Sequence, residues 1–259
     1  MFSTIDSQPQ EWLLNNPNIL HTLCLCRFHD SVSARHWIHT LVPKDKNGKL
    51  IKWSAGGPQK RVQRRRKEFI ERIDNHYDEI DFEVHCISST ESHISDFANA
   101  FFLKNIENIS QEPDAKGRNY LSFRIGKHKI VRMPALRAAK IIWIYFCIKY
   151  MKEVHGLNGF IYSDWFSHDT LTGEDKAVGV AMVNFLLSST GVGLQLSIAK
   201  TPSKSEADLL SDWFAGWSNS SKSGMLGSEL SEKFDILIER APHKIDWIMY
   251  QCNLEVVHG

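Results

Sequence analysis

Long apolar runs are absent from this sequence. The most apolar segment, Ile141 to Ile148, is closed on both sides by lysine, Lys140 and Lys149. It is far shorter than the about 20 residues a membrane-spanning helix needs, so it reads as a core helix and no membrane association is expected. The opening residues, Met1-Phe2-Ser3-Thr4-Ile5-Asp6, have no basic flank leading into an apolar stretch, which a secretory signal would show. An excess of one charge sign is also missing: 31 Lys and Arg face 30 Asp and Glu, a net charge of +1. That balance argues neither for nor against nucleic acid, because a basic face can be offset by acids elsewhere.

Cysteine is sparse and odd in number: Cys24, Cys26, Cys86, Cys147 and Cys252. Most sit in apolar runs and read as buried thiols of a reducing compartment. No second Cys or His pair completes a zinc pattern. A phosphate-binding glycine loop and a nucleophile elbow are both missing. Ser88-Ser89-Thr90-Glu91-Ser92-His93 brings Ser, Glu and His close in sequence, but triad members converge in space rather than along the chain. These absences point to a soluble, cytoplasmic chain without covalent-nucleophile or nucleotide-loop chemistry.

What is present is enough for a large core. Hydrophobic residues make up 42% and charged residues 24% of 259 positions, within the range of a single α/β domain. Leu20 to Phe28, Phe82 to Ser88, Phe160 to Trp165 and Leu194 to Ala199 read as strands, and Tyr120 to Arg132 as a hairpin around Gly126. Helical periodicity marks Ser33 to Leu41, Lys60 to Ile80, Ile94 to Ile106, Asp175 to Ser188 and Ser205 to Trp217. Pro134 opens a helix running to Val154, apolar almost all round and therefore central. Gln111 to Asn119 and the Ser/Gly-rich Ser218 to Gly227 read as loops, and a helical C-terminal extension is expected from about residue 228 to Cys252. The order predicts a mixed β-sheet flanked by helices on both faces.

Three acids stand where chemistry could gather. Asp6 follows the short apolar lead Phe2 to Ile5, Asp164 ends the strand Phe160-Ile161-Tyr162-Ser163, and Asp212 lies in a helix with Asp208 one turn before it. Positions i and i+4 share a helix face. Carboxylates meeting where a sheet and a helix join suit Mg²⁺ or Mn²⁺, and such ions can activate water for phosphodiester hydrolysis. Solvated turn and helix-face acids are the alternative reading.

The stretch Leu210-Ser211-Asp212-Trp213-Phe214-Ala215-Gly216 resembles the Ala-Asp-x-x-Ala-Gly signature of a large, mostly uncharacterised bacterial family of RNase H-like fold. That family has an early strand ending in Asp-Glu-Ser, a middle strand ending in Asp, and then this helix. The resemblance implies an RNase H-like fold and a metal site on Asp6, Asp164 and Asp212, with Asp208 as a further carboxylate. Three departures are plain: Ser7 stands where Glu would follow Asp6, Ser211 replaces Ala, and Trp213 is bulky.

Lys60, Arg61, Arg64, Arg65, Arg66 and Lys67 crowd the start of one helix, a pattern that would neutralise phosphates. Arg61, Arg65 and Arg72 share one face. Trp165, Trp213 and Trp217 lie near the acids and are candidates to stack bases, with core packing as the competing use. His168 and Asp169 follow Asp164 and could serve the same site. Two functions fit: a Mg²⁺- or Mn²⁺-dependent nuclease of DNA or RNA, or a non-catalytic RNase H-like scaffold that binds nucleic acid or a partner protein, alone or as a homo-oligomer.

Overall fold

The computed structural model describes residues 2–9, 16–105, 110–113, 119–125, 129–163, 181–188, 191, 193–198, 202–240 and 243–249. In chain order they form β1 (Phe2–Gln8), β2 (Leu20–Phe28), α1 (Ser31–Leu41), α2 (Gln59–His76), β3 (Glu83–Thr90), α3 (Glu91–Asn105), β4 (Ser110–Pro113), β5 (Asn119–Ile125), β6 (Lys129–Pro134), α4 (Ala135–His155) and β7 (Gly159–Ser163). Helical residues 181–188 (α5) come next, followed by β8 (Leu194–Ile198), α6 (Pro202–Lys222), α7 (Ser228–Arg240) and β9 (Ile245–Met249).

The main sheet has the order β8-β7-β1-β2-β3-β9. β1, β2 and β3 are antiparallel neighbours. β7 lies parallel to β1, β8 parallel to β7, and β9 parallel to β3. This is the mixed, helix-flanked α/β sheet expected: an antiparallel half, then two parallel strands beyond the first. A smaller antiparallel sheet, β4-β5-β6, stands beside it.

Strand alternation sorts the sheet's residues between two cores. Ile5, Leu23, Leu25 and Ile87 join α3 and α4 in one apolar cluster. Cys24, Cys26 and Cys86 join α1, α2, α6 and α7 in the other. Trp143, Ile144, Tyr145 and Phe146 of α4 are all buried although they point in different directions. The sheet covers one flank of α4, while α3, Leu121 and Met133 of the small sheet, and Met182, Val183 and Leu187 of α5 belong to the same cluster. Each such side chain contributes about 1.5–3 kcal/mol by burial, and its all-round apolarity marks a helix with no wet face.

Four expectations require correction. β1 is not a short lead before Asp6; it continues to Gln8, because α6 buries its polar residues. Ser218 to Lys222 is not loop but the last turn of α6, where Ser218, Asn219 and Ser220 are buried and Asn219 bonds the sheet. Ser110–Pro113 pairs with β5 as a strand instead of lying in a loop. The C-terminal stretch is not helical throughout: α7 stops at Arg240 and Ile245–Met249 adds a strand to the main sheet.

Candidate functional site

Thr4, Asp6 and Gln8 alternate onto the face of β1 that carries α6. Asp6 lies opposite Cys24, which lies opposite Cys86, and the Cys86 thiol reaches the carbonyl of Phe214 on α6 at 4.0 Å. Ser211 Oγ donates to the Thr4 carbonyl at 3.0 Å and lies 2.6 Å from Thr4 Oγ1, which therefore donates to it. One residue on, Gln8 Nε2 donates to Asp212 Oδ1 at 2.9 Å. Asp6 thus sits between two residues bonded to Ser211 and Asp212. Its own Oδ1 accepts the Ser7 N–H at 2.7 Å.

Asp208, Ser211, Asp212 and Asn219 recur at helical spacing along α6 and are all buried. Asn219 Nδ2 donates to the carbonyls of Gln8 and Leu20. Asp6 on β1 and Asp208 and Asp212 on α6 are each about 2% exposed or less, but the three carboxylates do not all lie within 4.8 Å of one another. Asp164, with His168, Asp169 and Trp165, lies outside the described residues.

Asp212 also fixes the loop before α2. Its Oδ2 accepts the Trp53 N–H at 2.6 Å. The Trp53 indole packs on Gly216, one turn along α6, where an added Cβ would fall 2.1 Å from Trp53 Cδ1. This accounts for glycine at that point of the Asp-x-x-Ala-Gly stretch: no other residue admits the ring.

The basic cluster meets the same tryptophan. Arg66 lies over the Trp53 ring at 4.3 Å, and burial, then the neighbouring Arg65, pull its guanidinium below its ordinary pKa. Arg65 donates to the carbonyls of Ala55 at 2.7 Å and Gly56 at 3.3 Å. Lys60, Arg61, Arg64 and Lys67 are exposed, with Lys67 3.8 Å from Glu71. A cleft of about 590 Å³ lies between α2 and the turn into α7, lined by Lys60, Arg64, Arg66 and Lys67 on one wall and Met225 on the other. Arg72, grouped with Arg61 and Arg65 in the sequence, instead donates to the carbonyls of Thr40 and Val42.

Trp213 and Trp217 do not offer base-stacking faces. Both are buried around Phe69, with ring centroids 4.8 and 6.1 Å from it. Ser88 and Ser89 bond Thr22 and Trp143 respectively, so no triad forms around them.

A second polar cluster lies on the other face of the sheet. His85 Nδ1 is 2.7 Å from Asp246 Oδ1, and His155 Nε2 is 3.4 Å from Asp246 Oδ2. Sequence reasoning misses this group, because its members come from β3, the end of α4 and β9, and no spacing links them.

No family model matches the chain, and no curated protein does. A solved RNase HII from Archaeoglobus fulgidus, in complex with PCNA, is 13% identical over 98% of both chains, with a TM-score of 0.38.

Proposed function

We propose that the chain is a divalent-metal-dependent nuclease acting on phosphodiester bonds of DNA or RNA. The observation that carries this is the burial of Asp6 on β1 and of Asp208 and Asp212 on α6, two elements bonded to each other through Gln8–Asp212 and Thr4–Ser211. Buried carboxylates lose solvation in low dielectric and gain from a cation, and these three would have to close together to share one. Oxygen-only donors fit Mg²⁺ or Mn²⁺. Asp6 and Asp212 would hold the ion, joined by Asp208 and by Asp164, the residue directly after β7. When bound, such an ion supplies an activated water and charge stabilisation at the phosphate.

The chain's own residues have separate tasks. The Gln8 amide donates to one oxygen of Asp212 and the Trp53 N–H to the other. Ser211 holds α6 in register with β1. Lys60, Arg64 and Lys67 would neutralise backbone phosphates along the cleft, with exposed Arg61 beside them on α2, and Arg66, stacked on Trp53, ties that cleft to the loop that Asp212 anchors.

One observation favours the scaffold reading: both oxygens of Asp212 already accept protein hydrogen bonds, so Asp212 has a structural use without an ion. Incubation of the full chain with labelled single- and double-stranded DNA and RNA, in Mg²⁺ or Mn²⁺ with EDTA as control, separates the two. Cleavage abolished by EDTA supports the nuclease. Binding without cleavage of any of the four substrates supports the scaffold.

A further inference from the structure

We infer that His85, His155 and Asp246 form a binding site for a zinc-type transition-metal ion, on the face of the sheet opposite the carboxylates. His85 lies across from Leu25 on β2, which lies across from Ile5 on β1. Those residues face α4, whereas Asp6 faces α6. The three ligands come from elements far apart in sequence. α4 ends at Gly156 in the left-handed region, φ 63°, a conformation glycine adopts without penalty, and this stop sets His155 over β3. β9 runs parallel to β3 and pairs His85 with Asp246.

One donor atom from each residue lies within 4.8 Å of the others. Zinc bonds to imidazole nitrogen and carboxylate oxygen are about 2.0–2.2 Å long, so the group must close by roughly an ångström or less. The two imidazoles are stacked, with centroids 3.8 Å apart and planes 24° apart. Their in-plane lone pairs do not converge as placed, so one ring must rotate for both to meet a single ion. Asp246 touches both, by one oxygen each. The His85 side chain is 5% exposed, while those of His155 and Asp246 are 20% and 22% exposed, so the group is open on one side only.

The surroundings are built around the group as well. Glu83 Oε2 lies 3.4 Å from His85 Nε2, placing a second carboxylate within reach as a further ligand or an orienting acceptor. Arg27 Nη1 donates to Glu83 Oε2 and to the His155 carbonyl, both at 3.1 Å, tying β2 to the strand and to the helix end. Two imidazoles with carboxylate oxygen suit Zn²⁺ rather than Mg²⁺. The site therefore selects a different ion from the α6 face. Its ligands join the edge strand β9 to β3 and to the end of α4, so binding fastens the last strand of the sheet.

The test is a thermal melt of the full, EDTA-stripped and desalted chain, titrated with Zn²⁺, alongside Co²⁺ absorption spectroscopy. One Zn²⁺ per chain is expected, with a rise in Tm of roughly 5–10 °C at a hundredfold excess over Kd. Co²⁺ should give the visible bands of a tetrahedral site, and excess Mg²⁺ should leave those bands unchanged. His155→Gln and Asp246→Asn, at partly exposed positions that need not disturb the core, should each abolish the Zn²⁺ shift and the Co²⁺ bands. Asp212→Asn should retain both, which separates this site from the α6 carboxylates whatever their activity. A wild-type chain indifferent to Zn²⁺, or variants at His155 and Asp246 that keep the full shift, would overturn the assignment and leave the cluster as a hydrogen-bonded staple of β9.

Discussion

The indole of Trp53 fills the space that a side chain on Gly216 would need: an added Cβ would lie 2.1 Å from Cδ1 and 2.2 Å from Cγ. These atoms sit at the root of a rigid ring that is 4% exposed, so the ring cannot swing aside cheaply. Together with the bond from the Trp53 N–H to Asp212, this contact locks the loop before α2 onto α6.

Gly216→Ala should therefore destabilise the chain. Overpacking a core costs roughly 1–3 kcal/mol, and about 1 kcal/mol is recovered because alanine is the better helix former. A net loss of up to about 2 kcal/mol in urea denaturation is expected, with a changed near-ultraviolet circular dichroism spectrum from the displaced indole. Stability equal to or above that of the parent chain would show that the loop repacks freely.

The basic helix divides into two kinds of residue. Arg61→Glu and Arg64→Glu should weaken nucleic-acid binding and lower its salt dependence by a slope of roughly one per lost phosphate contact. Stability should change by less than about 0.5 kcal/mol, because both side chains are exposed. Arg65→Ala should behave differently, since Arg65 holds the carbonyls of Ala55 and Gly56. A loss of about 1 kcal/mol is expected there. The sequence places Arg65 on the wet face beside Arg61, and the structure corrects that. Binding unchanged across a salt titration in the Arg61 and Arg64 variants would remove the cluster from the interface.

Buried His21 should give the chain an acid-sensitive step. Burial, then the positive charge of Lys140, lower its pKa from 6.5 to about 4, against the opposing pull of Glu91. Its Nε2 lies 3.2 Å from Glu91 Oε2. A base depressed in the folded state takes up its proton later than in the unfolded chain. Its contribution is therefore fully present above about pH 6.5 and is lost as the pH falls to about 4. The scale is about 3 kcal/mol as an order of magnitude. Denaturation curves at several pH values should show this slope, and His21→Gln should flatten it. An unchanged slope in that variant would assign the acid sensitivity to other groups.

Much of this architecture is legible in the sequence because apolar spacing reports burial. α4 reads correctly since its flanks are apolar in every direction, and β2, β3 and the β5–β6 hairpin read correctly from β-compatible runs. The errors share one cause: polar residues that are buried. Asp6 and Gln8 look like the end of a strand, yet α6 covers them. Ser218 and Ser220 look like loop, yet they lie in a helix whose Asn219 serves the carbonyls of β1 and β2. The link from Asp212 to Trp53 spans 159 positions and leaves no local pattern. The Gly216 contact is partly legible, since glycine inside an otherwise apolar helix asks for a close neighbour.

Cleavage by Asp6→Asn and Asp212→Asn, set beside the unaltered chain, tests the central claim most directly. Asn keeps the carboxylate's shape and removes its charge. At Asp212 it can still accept from the Trp53 N–H, while a turned Gln8 amide accepts from its NH₂, so the fold should survive. The expected result is EDTA-sensitive cleavage of at least one labelled DNA or RNA substrate by the unaltered chain, and none by either folded variant. No cleavage by the unaltered chain in Mg²⁺ or Mn²⁺, or full cleavage by both variants, would contradict a metal-dependent nuclease built on these carboxylates.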